Sequence, residues 1–467
     1  MAHPDGQDEQ RLTAKGRATR DRIVEAAARL IVTEGLSASN MENVRRAASV
    51  SGSQLAHYFA DKNALIRAVI RRQIGVVLDF HRQPKLGGLA SFADFERWID
   101  LNMRYLRRIG YFGTPTYHAL AAQLVKSDDA TRATLGAGYW QWIDLLETAI
   151  QRMKDGGIVV ADADSRALAI VIVAAHQGGG TLAFTYHAEW PHADAVRFAI
   201  NHLRSFATDP GERVARPARR PRRLRKTRTL TDDSSTRFTR KGQATRARVV
   251  EVAARLMFER GVAGTSIEQV RRAAGVGGSQ IAHYFHDKRE LTRQVIAARR
   301  EDVRTFHTAP PLGDLDTLDA LQAWADACVA DTDAVYRLGG CVYGSLAGEL
   351  IDADDEVHDD LSAGYDQWIE LFETGLATMR RRGELRPDAD PRHLAVSLVV
   401  AHQGGAMLTY ATGDAEPLRT AVNAAVDYVR TFTPHARKSR STPARRRGPS
   451  RANSFTAPSG QIGIGSP

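Results

Sequence analysis

Cysteine is all but missing from this chain of 467 residues: Cys328 and Cys341 are its only two. That excludes a disulfide framework and a four-cysteine zinc site, and it suits a reducing compartment. No unbroken run of about eighteen apolar residues occurs, and the opening MAHPDGQDEQRLTAKG lacks the apolar stretch of a secretory signal. A soluble, cytoplasmic protein with no membrane partner is the expectation. Common catalytic motifs are missing too, with no GxSxG elbow, P-loop, HExxH or Cys/His metal set. The acidic DADD at 352–355 falls where a solvated loop is expected. These absences argue against an enzyme and imply no catalytic residue, no metal and no cofactor.

Charge is present in excess, at +10, but it is unevenly held. RVARPARRPRRLRKTR, 213–228, has nine Arg or Lys and no acid, and ARKSRSTPARRRGPSR, 436–451, has seven and none. Setting those sixteen aside leaves 48 of the 64 basic residues against 54 acidic ones. The segments able to bury a core are therefore acidic on balance, and any nucleic-acid argument has to rest on local motifs. The two basic stretches read as solubilising linkers or as arms adding sequence-independent affinity for DNA. If the arms were the whole story, the protein would be an architectural, non-specific DNA binder.

What the chain does have is a repeat. SQLAHYF at 53–59 returns as SQIAHYF at 279–285, a displacement of 226. Held at that displacement, 33 of the 56 pairs from Lys15/Lys241 to Ile70/Ile296 are identical without a gap. The register persists downstream: GYWQW at 138–142 meets GYDQW at 364–368, and AHQGG at 175–179 meets AHQGG at 401–405. A unit of about two hundred residues has been copied whole.

Within each copy the apolar spacing is helical and no alternating strand pattern stands out. Ile23, Ala26, Ala27, Leu30 and Ile31 form a stripe ending at Gly35, and Val249, Ala253, Leu256 and Met257 do the same before Gly261. Ser39-x-x-Glu42 and Thr265-x-x-Glu268 fit capping boxes opening the short helices MENVRRAA and IEQVRRAA. A tight turn follows, and then the repeated phrase. Two short helices joined this way make a helix-turn-helix, whose second helix enters the major groove by its N-terminal residues. Ser51, Gly52 and Ser53, with Gly277, Gly278 and Ser279, permit close approach. Gln54 and Gln280 are suited to an adenine edge through two atoms. His57, Tyr58 and Lys62, with His283, Tyr284 and Lys288, are expected on phosphates. Leu55 and Ile281 should point inward.

The combined pattern, R-x-x-I/V-V-E-x-A-A-R-L followed by E-x-V-R-R-A-A-x-V-x-G-S-Q-L/I-A-H-Y-F-x-D-K, resembles the TetR family of transcriptional regulators, and each copy carries it in full. The resemblance implies an all-α protein of two tandem units. Each unit has a helix-turn-helix head of three helices followed by a helical ligand-binding and dimerisation domain. The order becomes a flexible N-terminus at 1–14, a head at 15–70, a regulatory domain at 71–208, a basic linker at 209–240, a second head at 241–296, a second regulatory domain at 297–433 and a basic tail at 434–467. Two departures stand out. Ala56 and Ala282 occupy a position where members commonly have an aromatic, and Ser49 replaces the turn glycine that copy two keeps as Gly275.

The family further implies a double-stranded DNA operator, a small apolar effector and, commonly, repression relieved by ligand. Candidate pocket residues are Tyr117, His118, Tyr139, Trp142, His176 and Gln177, with Tyr343, Tyr365, Trp368, His402 and Gln403 in copy two; for most of them the core is the competing reading. The AHQGG glycines read as helix contacts beside the pocket. Cys341 reads as a structural thiol sooner than a redox sensor. Because an ordinary member is a homodimer, two heads on one chain imply an intramolecular pseudo-dimer on a near-palindromic operator, with a homodimer of chains and four heads as the alternative.

Overall fold

A computed structural model describes residues 12–34, 36, 39–110, 117–217 and 238–434. Most of the basic linker, the tail beyond residue 434, the N-terminus before residue 12 and the expected helix stop Gly35 lie outside the described residues. Among the described residues every regular element is helical, and the one ladder contact is a single antiparallel bridge between Val159 and Ala207.

Copy one runs α1 (Ala14–Glu34), α2 (Met41–Ala47), α3 (Gly52–Tyr58), α4 (Lys62–Arg82), α5 (Phe92–Ile109), α6 (Tyr117–Leu124), α7 (Asp129–Asp155), α8 (Ser165–Tyr186) and α9 (Trp190–Arg204). Copy two repeats the order as α10 (Arg240–Arg260), α11 (Ile267–Ala273), α12 (Gly278–Tyr284), α13 (Lys288–His307), α14 (Leu318–Ala330), α15 (Gly344–Glu349), α16 (Asp355–Arg381), α17 (Pro391–Thr412) and α18 (Glu416–Arg430), with a π-helical turn at Thr332–Tyr336 after α14. The α1 stripe is buried as its spacing requires, with Ile23, Ala26, Ala27 and Ile31 inside and α1 packed on α4.

The caps of α2 and α11 sit one residue later than the sequence suggests. Asn40 caps α2, accepting the Asn43 N–H at 2.8 Å, and Ser266 forms a full box with Gln269. The hydroxyls of Ser39 and Thr265 are buried and donate backward instead, to the carbonyls of Leu36 and Gly261. Glu42 and Glu268 turn outward to ion pairs with Arg45 and Arg271.

The expected boundaries at 70/71 and 296/297 fall inside the unbroken helices α4 and α13. Leu65, Ile66, Val69 and Ile70 are buried near the start of α4, and Ile74 and Leu78 carry the buried stripe onward. Head and regulatory domain therefore share one rod.

The regulatory domains meet through α8, α9, α17 and α18. A Cβ added at Gly178 would collide with the Val400 carbonyl, and one added at Gly404 with the Ala174 carbonyl. Gly178 and Gly404 are repeat equivalents, and so are Ala174 and Val400. The contact is thus reciprocal, the signature of approximate two-fold symmetry. The neighbouring glycines face their own copy: a Cβ on Gly179 would strike Ala195, and one on Gly405 would lie 3.1 Å from Ala421. Polar contacts flank the crossing. Tyr186 Oη donates to Asp366 at 2.9 Å, and Asn201 Nδ2 donates to Tyr428 Oη at 3.1 Å.

Helices α8 and α17 are long and apolar enough by composition to cross a membrane, yet 89% and 94% of their most apolar windows are buried inside the protein. Helices surrounded by other helices become apolar on all sides.

Gly178→Ala and Gly404→Ala should each destabilise the protein by about 1–3 kcal/mol, because backbone cannot yield as a side chain does. Gly75→Ala is the matched control, since nothing lies within 4 Å of its added Cβ and the helix gains propensity. Thermal melting of the three variants checks this, and equal melting points would contradict the close crossing.

Candidate DNA-reading surfaces and effector cavities

The turn between the two short helices needs a left-handed residue in both copies: φ is 52° at Ser49 and 63° at Gly275. Val50 and Val276 follow and are buried, locking the turn to the head core. Leu55 and Ile281 are 3% and 5% exposed and anchor α3 and α12 from beneath, beside Phe59 and Phe285. Ser51, Gly52, Ser53, Gln54 and His57 are exposed, as are Gly277, Gly278, Ser279, Gln280 and His283, while Tyr58 and Tyr284 are half-buried.

The glutamines differ from expectation. Gln54 Oε1 accepts the Ser51 N–H at 3.0 Å, while Ser51 Oγ accepts the Gln54 N–H at 3.1 Å. Gln280 Oε1 likewise accepts the Gly277 N–H at 2.9 Å. A two-atom bond to adenine needs that oxygen, so each glutamine must leave its cap to make it, and Gly277 has no hydroxyl with which to complete the box. Lys62 is half-buried at the start of α4. Lys288 is also engaged: its Nζ donates to the Val262 carbonyl at 2.6 Å, and partial burial lowers its pKa.

The regulatory domain of copy one encloses a cavity of about 140 Å³. Its walls include Tyr117, His118, Trp142, His176 and Gln177, which the sequence singled out, together with Val77, Phe80 and His81 from α4. The matching cavity in copy two measures about 30 Å³ and touches Trp368 and His402. Tyr139, Tyr343 and Tyr365 line neither cavity. They are fully buried core, because their rings pack on partners such as Tyr117 and Trp368 and the hydroxyl of Tyr343 donates to the Leu361 carbonyl at 2.7 Å. Tyr117 serves both roles, with its hydroxyl on the Leu135 carbonyl at 2.6 Å. Cys341 is buried and its pKa raised by that burial, which suits a structural thiol.

One cluster escapes a sequence reading based on local spacing. His81 Nδ1 donates to the Val77 carbonyl, and its Nε2 accepts both indole N–H groups, from Trp98 at 2.9 Å and Trp142 at 3.2 Å. His307, Trp324 and Trp368 rebuild the same triad in copy two, at 3.1 and 2.9 Å. Each histidine is held as a neutral tautomer, with burial lowering its pKa to about 4. The identical displacement of 226 between the triads was the available signal.

The second head also connects to the opposite copy. Lys126, just beyond α6, forms a buried 3.0 Å ion pair with Glu349 and sits over the Phe258 ring of the second head. The other oxygen of Glu349 accepts the Val262 N–H at 2.5 Å. Within copy two, Arg289 and Arg293 bind Asp354, Glu356 and Asp360, and in copy one Arg67, the match of Arg293, lies 3.9 Å from Asp128, the match of Asp354.

Two measurements follow. Ser49→Gly should remove roughly 1 kcal/mol of left-handed strain and raise the melting temperature; a fall would contradict the turn. The buried histidines add a pH dependence. In an unfolded chain they titrate near 6.5, but burial lowers His81, His118 and His307 to about 4 and His192 and His402 to about 3. Below pH ~6.5 the unfolded chain therefore takes up protons that the fold refuses. Stability should be full above that pH and decline steadily towards pH ~4; a melting temperature flat between pH 7 and 5 would contradict it.

Comparison with known proteins agrees with the two-copy architecture. The model for bacterial regulatory proteins of the tetR family matches residues 23–69 and again 249–295, and the tetracyclin repressor-like C-terminal domain matches 317–425. The HTH-type transcriptional repressor DhaR of Mycobacterium sp. (strain GP1) is 25% identical over 174 residues, which cover 37% of this chain and 86% of the relative. The HTH-type transcriptional regulator SrpR of Pseudomonas putida is 24% identical over 149 residues, covering 32% and 67%. A TetR transcriptional regulator from Chloroflexus aurantiacus J-10-FL, solved as a crystal structure, is 30% identical, covers 42% of this chain and 98% of its own, and has a TM-score of 0.38. The two curated relatives cover 37% and 32% of the chain, as a single unit would. The chain belongs to the TetR family of transcriptional regulators and carries two of the family's units in tandem.

Proposed function

We propose that the chain is a ligand-responsive repressor acting in the cytoplasm, and that its two heads read a near-palindromic operator as a single-chain pseudo-dimer. The observation that carries this reading is the reciprocal crossing at Gly178 and Gly404. It joins the copies through the last helices of each regulatory domain, a surface that a homodimer of single units would otherwise need. Both recognition helices keep their N-terminal residues exposed, and their sequences differ at Ser51/Gly277 and Leu55/Ile281, so two nearly equal half-sites are expected. The name of DhaR favours repression as the sign.

Response to ligand has a physical route. Val77, Phe80 and His81 of α4 line the cavity, and the same helix packs into the first head. A ligand that displaces this rod moves the head with it, and heads one helical turn apart tolerate little displacement. The Lys126–Glu349 pair adds a path from α6, whose His118 lines the copy-one cavity, to the second head. One occupied cavity can thereby bias both heads.

Light scattering of the free chain should give a mass near 51.3 kDa at micromolar concentration, and footprinting should show one chain protecting a site of approximate two-fold symmetry. A particle of twice that mass, or an asymmetric site, would sink the pseudo-dimer reading.

A further inference from the structure

The two cavities differ by a few exchanges at matched positions. Copy two has Tyr336 where copy one has Gly110, and the Tyr336 hydroxyl lies 2.7 Å from His402 Nε2. That side chain lines the smaller cavity. In copy one the matching nitrogen, His176 Nε2, faces Asn102 Oδ1 at 3.2 Å. Copy one also has His118 where copy two has Gly344, and His192 where copy two has Leu418.

Most polar groups of the copy-one cavity are already satisfied. His118 Nδ1 donates to Gln177 Oε1 at 2.9 Å, and His176 is bonded through both nitrogens to Asn102 and Gln177. His192 stands apart. It is 1% exposed, it lines the cavity, its ring meets His176 edge to face at 4.5 Å, and among the described residues neither of its nitrogens has a hydrogen-bond partner. A neutral imidazole has one donor and one acceptor, which a hydroxyl can match on either side. Among the described residues no Lys, Arg, Asp or Glu lines the cavity, while Phe80, Tyr105, Trp142 and Phe184 supply aromatic walls.

We propose that copy one alone binds effector, at one molecule per chain, and that the effector is a neutral single-ring aromatic alcohol of the phenol class whose hydroxyl bonds His192. The size agrees: about 140 Å³ is close to the ~150 Å³ apolar cavity known to take benzene. An aromatic carboxylate is disfavoured, since no cation awaits it. Burial holds the surrounding imidazoles neutral, with the His192 pKa lowered to about 3. In copy two Tyr336 lines the smaller cavity with its hydroxyl on His402, and Leu418 stands where His192 would offer a partner.

The proposal rests on reading this cavity as the effector site. Its test is titration calorimetry of the full chain with phenol, toluene and benzoate. Phenol should bind at one per chain and about tenfold more tightly than toluene, the worth of one added hydrogen bond, with benzoate the weakest. His192→Leu, which installs the copy-two residue, should cost phenol that tenfold and leave toluene unchanged. Two phenols per chain, benzoate binding as tightly as phenol, or equal loss of phenol and toluene in the variant would overturn it. The wild-type series decides the ligand class even if the variant fails to fold. If phenol binds at one per chain without altering affinity for the footprinted DNA, the site stands and the effector reading falls. If none of the three binds while another compound releases that DNA, the phenol class falls and the regulator reading stands.

Discussion

The close approach of α8 and α17 is the constraint on which the other features depend. Two backbones come within van der Waals distance only where a side chain is absent, and here each copy supplies one glycine to the other's carbonyl. Because Gly178 meets the chain near Val400 and Gly404 meets it near Ala174, the crossing is self-complementary, and it orients two whole regulatory domains at once. The second glycine of each pair draws the last helix of the same copy against the same core. Four helices are thereby gathered around one point, and two of them become apolar enough to resemble membrane spans although they are interior.

Duplication on one chain removes a restriction that symmetry imposes on a homodimer. A substitution in a homodimer appears twice; here it appears once. Tyr336 lines the smaller cavity of copy two, and its matched position in copy one is Gly110, in the copy that holds the larger cavity. Arg289 and Arg293 tie the second head to acids at the start of α16, whereas the residues matched to Arg289, Glu356 and Asp360 in copy one are the uncharged Asn63, Ala130 and Thr134. Glu349 joins the second head to Lys126 of the first regulatory domain, and its matched residue Gln123 instead donates to Asp352 at 2.8 Å. The recognition helices stay nearly identical in both copies while the cavities and the head attachments have drifted apart.

The buried imidazoles show why pocket chemistry was harder to foresee than DNA reading. A recognition helix is local, so its cap, turn and exposed residues lie within a dozen positions, and periodicity reveals them. His81 meets Trp98 and Trp142 across three helices. Nothing local distinguishes this histidine from a solvated one, and nothing local distinguishes Trp142, which borders the cavity, from Tyr139, which does not. The same limit explains Ser39: as a capping residue it was plausible by spacing, but its burial turned the hydroxyl back to Leu36 and handed the cap to Asn40.

By itself the sequence determined the helical class, the duplication at a displacement of 226, the helix-turn-helix, and the family, because each is carried by short-range spacing or by identity between copies. Tertiary structure decided the rest. It set which copy keeps the larger cavity, which glycine faces which copy, that Gln54 and Gln280 cap their own helices, and that Lys126 reaches the opposite head. Apart from the two glutamine caps, which bond only three residues away, those outcomes depend on groups brought together from separate helices, where burial, available volume and unsatisfied donors arise only once the chain has packed.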